Sequence, residues 1–164
     1  MIIVEGPDGS GKSTLAQSLG ASLKWEVYHG GGPPLNLDEV DDRLKHMASR
    51  IHDDVIFDRC TVISEQLYGP LYRQVDHIKN KKQLMKYVYA CGVVVIYCRP
   101  KVLAVPVMRD GEDRAHHLKT IAKQAVTQQA YDDFFSVHPH YRYDFRNSSN
   151  MWINYMLSIG ETRG

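Results

Sequence analysis

The sequence predicts an α/β protein in which a parallel β-sheet lies between layers of helices. Three observations carry this. Short apolar runs (Ile2-Ile3-Val4, Val55-Ile56-Phe57 and Val93-Val94-Val95-Ile96-Tyr97) are spread along the chain, and unbroken rather than alternating hydrophobicity marks strands buried on both faces. Segments with apolar residues at helical spacing separate them, as in βαβ units. A glycine-rich turn, GPDGSGKS, directly follows the first apolar run. The 164 residues show no internal repeat, low-complexity tract or linker, so one domain over 1–164 is expected.

The first strand takes residues 2–4, and the helix after the glycine turn takes 12–23. WEVYH (25–29) is a second strand, stopped by Gly30-Gly31-Gly32-Pro33-Pro34. Leu37, Val40, Leu44, Met47 and Ile51 then recur at helical spacing with acidic residues at the front, which predicts a docked amphipathic helix. Residues 55–57 are the third strand, ending in Asp58-Arg59, and the next helix carries Ser64 and Tyr68 and stops at Gly69-Pro70. A helix over 78–90 presents Lys79, Lys81 and Lys82 to solvent, and 93–97 is apolar enough for the sheet centre. After Arg99-Pro100, the polar segment RDGEDRAHH (109–117) precedes a long helix with Leu118, Ile121, Ala122, Ala125 and Val126 on one face. Residues 140–145 suit a last strand, in which Tyr141, Tyr143 and Phe145 alternate toward the core, and 151–157 suit a last helix.

Composition narrows the function classes. The chain is 43% hydrophobic and 24% charged, with mean hydropathy −0.37, as in soluble globular proteins. A formal charge of +1 leaves no broad electrostatic footprint for a nucleic acid or an anionic membrane. A local phosphate pocket needs no such footprint. Cys60, Cys91 and Cys98 are odd in number and lack CxxC spacing, so reduced thiols are expected. MIIVEG has no basic n-region, Glu5 interrupts its apolar run, and the apolar stretch 91–98 is too short to span a bilayer. A cytoplasmic protein without membrane contact is expected.

Gly6-Pro7-Asp8-Gly9-Ser10-Gly11-Lys12-Ser13 satisfies G-x-x-x-x-G-K-[ST] between a strand and a helix, the context that such a phosphate-binding loop requires. Glycines let backbone N–H groups curl around a phosphate, and the following helix adds its partial positive end. Asp8, Gly9, Ser10, Gly11, Lys12, Ser13 and Thr14 are therefore the candidate ATP-binding residues. Lys12 would reach the β- and γ-phosphates, and the Ser13 hydroxyl would ligate Mg²⁺. Asp58 stands at the carboxyl end of a strand, the edge where open α/β sheets bind ligands. It would hold Mg²⁺ through water or accept a proton, while Arg59 pairs with phosphate oxygens. His116-His117 diverge on a helix and have no evident third metal ligand.

EGPDGSGKST, then DRCTVISEQLYG, then an arginine-bearing segment before a long helix follow the motif order of a known group. The chain resembles the thymidylate kinase branch of P-loop nucleoside and nucleotide kinases. Its short length and DR-x4-S-x3-Y-G-P-x2-R spacing look most like the compact bacteriophage forms. The resemblance implies a P-loop NTPase three-layer sandwich with five parallel strands in the order 2-3-1-4-5, and a lid at about 109–117. It implies Mg²⁺–ATP-dependent phosphorylation of a deoxynucleoside 5′-monophosphate, dTMP or another, in the cytoplasm (a host's, for a phage protein), by a homodimer. In such enzymes the acid inside the loop, here Asp8, contacts the acceptor sugar, and the DR pair, here Asp58 and Arg59, puts its arginine between donor and acceptor phosphates. Ser64 and Tyr68 would meet the acceptor from one helical face, although Tyr68 falls one position later than in the bacterial pattern. Arg109 and Arg114 of the lid would stabilise the transferring phosphoryl group.

One departure stands out. Bacterial members carry an arginine after the second strand that binds the acceptor phosphate, whereas His29-Gly30-Gly31-Gly32-Pro33-Pro34 has none. Arg73 or Arg59 then takes over, or the acceptor is an unphosphorylated nucleoside with Asp58 or Glu5 as base. Asp8 and the DR pair favour the monophosphate kinase over a deoxynucleoside kinase. A polynucleotide 5′-kinase would want a basic groove, a GTPase would need N-K-x-D where NKKQ (80–83) stands, and an ATPase without acceptor is a further alternative. Adenine recognition is expected near Asn147 and Ser148.

Overall fold

The structure is a computed structural model that describes residues 1–102 and 114–146. Along the chain run β1 (Ile2–Glu5), α1 (Lys12–Leu23), β2 (Glu26–His29), α2 (Leu37–Ser49), β3 (Val55–Asp58) and α3 (Thr61–Tyr68). A wide π turn (Gly69–Arg73), α4 (Lys81–Ala90), β4 (Val94–Cys98), α5 (Arg114–Ser136) and β5 (Tyr141–Tyr143) follow. Among the described residues five strands form one parallel sheet in the order β2-β3-β1-β4-β5. The predicted fold class is therefore the observed one.

Strand periodicity divides the core in two. Ile3, Phe57, Val95 and Tyr97 face a layer that includes Met47, Ile63, Met85, Val88, Tyr131 and Phe135, from α2 to α5. Ile2, Val4, Ile56 and Ile96 face the other way onto Leu15, Ala16 and Leu19 of α1. The strands are buried on both faces because β1, β3 and β4 are central, which is why their sequences read as unbroken apolar runs. The side chain of Asn36 caps α2 by accepting from Glu39 N at 2.9 Å, so the helix begins at Leu37.

Three expectations need correction. On α5 the predicted apolar face is largely outward: Leu118 and Val126 are each 55% exposed, and Ala122 and Ala125 are exposed too. The buried face is Thr120, Thr127, Tyr131 and Phe135. Threonine can be buried there because its hydroxyl finds partners inside: Thr127 Oγ1 donates to Lys123 O at 2.9 Å and meets Tyr72 OH at 2.8 Å. The helix after β3 does not end the winding at Gly69-Pro70, since the chain continues through the π turn to Arg73. The helix expected over 78–90 starts at Lys81, and Ile78 is buried in the turn before it. Of the expected lid, 109–113 lies outside the described residues, while 114–117 is the first turn of α5. The expected helix at 151–157, and Asn147 and Ser148, also lie outside them. No helix among the described residues is long and apolar enough to cross a membrane.

Candidate active site

The carboxyl ends of β1, β2 and β3 meet in register: Val4 pairs with Asp58, and His29 with Asp58. The phosphate loop leaves this edge from β1. Gly6 has φ 154, and a Cβ on it would stand 2.6 Å from both Cys98 O and Ser10 Oγ, so no other residue fits. The loop closes with Ser10 N donating to Pro7 O at 3.2 Å, and α1 starts without a side-chain cap. Its first N–H groups are thus available to an anion.

Lys12 is 7% exposed. Its ammonium donates to Pro7 O at 3.4 Å and lies 3.6 Å from Asp8 Oδ1. Burial and the Arg59 guanidinium draw its pKa down to about 8, against the pull of Asp8, Asp58 and Glu5. Ser10 is buried and its hydroxyl has no partner among the described residues. Ser13 is half-buried and Thr14 exposed at the start of α1.

Asp58 ends β3 and is 7% exposed. His29 Nδ1 holds its Oδ2 at 3.0 Å, and Oδ1 is buried without a partner among the described residues. One oxygen pinned and one unspent, at the phosphate-loop edge, suits an oxygen-seeking cation. No group of three or more His, Cys, Asp or Glu that could hold a metal occurs among the described residues.

Arg59 adopts φ 70, and its N–H donates to Val4 O at 3.0 Å. Its Nη2 donates to Asp8 Oδ1 at 2.7 Å and to Tyr68 OH at 3.0 Å, with the guanidinium carbon 4.7 Å from the Tyr68 ring centroid. Glu5, by contrast, is a strut. It is fully buried, accepts from Cys60 N at 2.6 Å and from Tyr131 OH at 2.8 Å, and burial pushes its carboxyl pKa up. With both oxygens occupied, Glu5 is poorly placed as a catalytic base.

A cavity of about 320 Å³ opens beside this cluster, with Asp8 and Arg59 in its wall. The loop after β2 (Gly30 to Pro34), Arg43 of α2, Thr61, Ser64, Glu65 and Tyr68 of α3, Tyr72 and Arg73 of the π turn, and Lys119 and Thr120 of α5 complete it. The structure thus brings the acceptor candidates Asp8, Ser64, Tyr68 and Arg73 around one space. It does not bring Arg114 there: that residue is exposed at the start of α5 and is not in the wall. Arg109 lies outside the described residues.

Sequence reasoning missed several residues. Arg43 of α2 turns back to the glycine loop, where Nη1 donates to Gly30 O and Gly32 O at 2.8 Å each and Nη2 pairs with Glu39. An arginine does stand at the loop after β2, supplied from the next helix. The Asn36-x-x-Glu39 pattern signals where that helix starts, and it puts Arg43 one turn beyond Glu39. His29, Tyr72, Lys119 and Thr120 carried no comparable signal.

No family model matches the sequence, and no curated protein resembles it significantly. Among solved structures the chain is similar to the YorR protein from Bacillus subtilis in complex with phosphorylated GDP. The two are 20% identical over 99% of this chain and 96% of that one, with a TM-score of 0.67. It is also similar to deoxyadenosine kinase from M. mycoides with bound dCTP, at 15% identity over 99% of this chain and 100% of that one, with a TM-score of 0.51. At such identities the likeness is one of fold. The chain has the α/β fold found in P-loop nucleotide kinases.

Proposed function

We propose that the protein is a Mg²⁺–ATP-dependent kinase that phosphorylates a nucleoside 5′-monophosphate to the diphosphate, with dTMP or another deoxynucleotide as acceptor. The observation that carries this reading is the convergence of four cationic side chains, Arg43, Arg59, Arg73 and Lys119, on the cavity beside the phosphate loop, where three carboxylates, Glu39, Asp8 and Glu65, pair with the arginines. A phosphate dianion takes up the remaining donors of these guanidinium groups and the exposed Lys119 ammonium, whereas a neutral nucleoside offers them no charge.

Lys12, the loop backbone and the α1 N-terminus hold the ATP phosphates. Asp58 and Ser13 would hold Mg²⁺, which when bound neutralises phosphate charge. Arg59 stands between the loop and the cavity, as a group shared by donor and acceptor phosphates must. Arg109 and Arg114 are assigned to the moving phosphoryl group by motif order alone. Asp8, Ser64, Tyr68 and Arg73 hold the acceptor. A monophosphate brings its own nucleophilic oxygen, so the reaction needs no strong base, in keeping with Glu5 being occupied on both oxygens.

A second reading, a deoxynucleoside kinase, draws on the fold neighbour named deoxyadenosine kinase and on Asp58 Oδ1, an unspent oxygen suited to a base. One experiment separates the two. ADP production is measured with Mg²⁺–ATP and, in turn, the four deoxynucleosides, their 5′-monophosphates and a 5′-hydroxyl oligonucleotide. Stimulation by monophosphates alone is expected. Stimulation by nucleosides establishes the second reading, and acceptor-independent turnover removes both.

A further inference from the structure

Arg73 reaches the acceptor cavity through an unusual piece of chain. Glu65, one turn before Tyr68 on α3, is 3% exposed. Its Oε2 is ion-paired with Arg73 Nη2, and its Oε1 lies 2.9 Å from His77 Nδ1. The three side chains come from α3, from the last position of the π turn and from the segment before α4. The wide turn folds back onto its own first residue. Val75 N donates to Gly69 O at 3.2 Å, and a Cβ on Gly69 would stand 2.7 Å from Val75 O and 3.0 Å from Glu65 Oε1. Gln74 takes φ 57 to complete the reversal.

Stability alone does not account for this arrangement. Desolvation offsets most of the attraction within a buried ion pair, and apolar side chains of similar volume would serve as well or better. What the pair does achieve is geometric. An arginine side chain is rich in rotamers, and ordering it at the moment of binding weakens affinity. Here that ordering is done in advance, in the wall of the cavity. The guanidinium is not fully spent, because Arg73 Nε has no acceptor among the described residues.

We propose that Glu65 is a positioning residue: braced by His77 on one oxygen, it holds the Arg73 guanidinium in the cavity wall, oriented to meet the anionic group of the acceptor. This rests on the reading of the cavity as the acceptor site.

The test is steady-state kinetics with the preferred monophosphate on wild type, Glu65→Gln, Arg73→Ala and the double variant. Glu65→Gln is expected to raise the acceptor KM about tenfold, the scale of one charge-assisted hydrogen bond. The KM for ATP and kcat should stay within about twofold, a split that general loss of structure would not give. The double variant should be no worse than Arg73→Ala, because Glu65 acts through Arg73. An unchanged acceptor KM in Glu65→Gln, or additive losses in the double variant, overturns the proposal and leaves the kinase reading standing. Should Glu65→Gln fail to fold, His77→Ala removes only the brace. A smaller rise in acceptor KM, absent in the Arg73→Ala background, is then expected, and no rise overturns the proposal. Wild-type turnover that ignores every monophosphate overturns the kinase reading and this inference with it.

Discussion

Lys12 shows how the site works at the scale of single residues. Its pKa of about 8 is depressed because burial and Arg59 disfavour the ammonium. A polyphosphate reverses that balance, so nucleotide binding must favour the protonated form. The sign follows: near and above pH 8, binding takes up a proton, and affinity falls as pH rises through that value. Calorimetric titration of ATP at pH 8.5 in buffers of different ionisation enthalpy should register this uptake. Proton-neutral binding would mean that Lys12 does not meet the phosphates. The acceptor role proposed for Asp8 is separable from this, since Asp8 sits between Lys12, Arg59 and the cavity. Asp8→Ala should therefore raise the acceptor KM several-fold more than the KM for ATP, and equal losses would remove its assignment to the acceptor side. Where these residues lie in the fold was legible because motif spacing places them locally: Asp8 in the loop, Asp58 and Arg59 at a strand end, Ser64 and Tyr68 one helical turn apart. Arg43 was not, because its contact with Gly30 and Gly32 spans a loop and a helix start that no spacing rule connects.

Elements were legible where one period governed them and misread where it did not. The strands β1, β3 and β4 could be read because burial on both faces leaves only apolar residues, and α1 because a phosphate loop must end on a helix. The long helix α5 misled because its apolar residues and its buried residues are different sets. Thr120 and Thr127 lie inward with Tyr131 and Phe135, while Leu118 and Val126 lie outward. Amphipathicity counts side-chain polarity, whereas burial needs only that each polar atom be paired. The two views predict opposite outcomes. Leu118→Lys should change stability by less than about 0.5 kcal/mol, as at other exposed positions. Tyr131→Phe should cost about 1–3 kcal/mol, because Glu5 Oε2 loses its buried donor. Urea unfolding of both variants decides the matter, and a costly Leu118→Lys with a harmless Tyr131→Phe would restore the face read from the sequence.

At the scale of the whole molecule, the site lies where the sheet changes direction. The chain leaves β1 for the edge strand β2, returns to β3, and then crosses β1 to β4 and β5 on the other side, and open α/β sheets bind ligands outside the carboxyl ends where such connections change side. Four cationic side chains, Arg43, Arg59, Arg73 and Lys119, converge there from α2, the end of β3, the π turn and α5, although the chain as a whole carries a formal charge of only +1. Composition could not reveal this, because the charges are far apart in sequence and gathered only by the fold. Glu39, Asp8 and Glu65 each pair with one of the arginines, which offsets much of the repulsion among the four cations, and a bound phosphate relieves the rest across several elements at once. A nucleoside 5′-monophosphate at about a hundred times its Kd should stabilise the protein by about 3 kcal/mol and raise Tm by roughly 5–10 °C. The matching deoxynucleoside should do much less. Added salt should shrink the monophosphate shift through screening, less steeply than for a surface pair because the arginines are partly buried. Equal shifts for nucleoside and monophosphate would mean that the cavity recognises base and sugar alone, and that its positive charge answers some other anion.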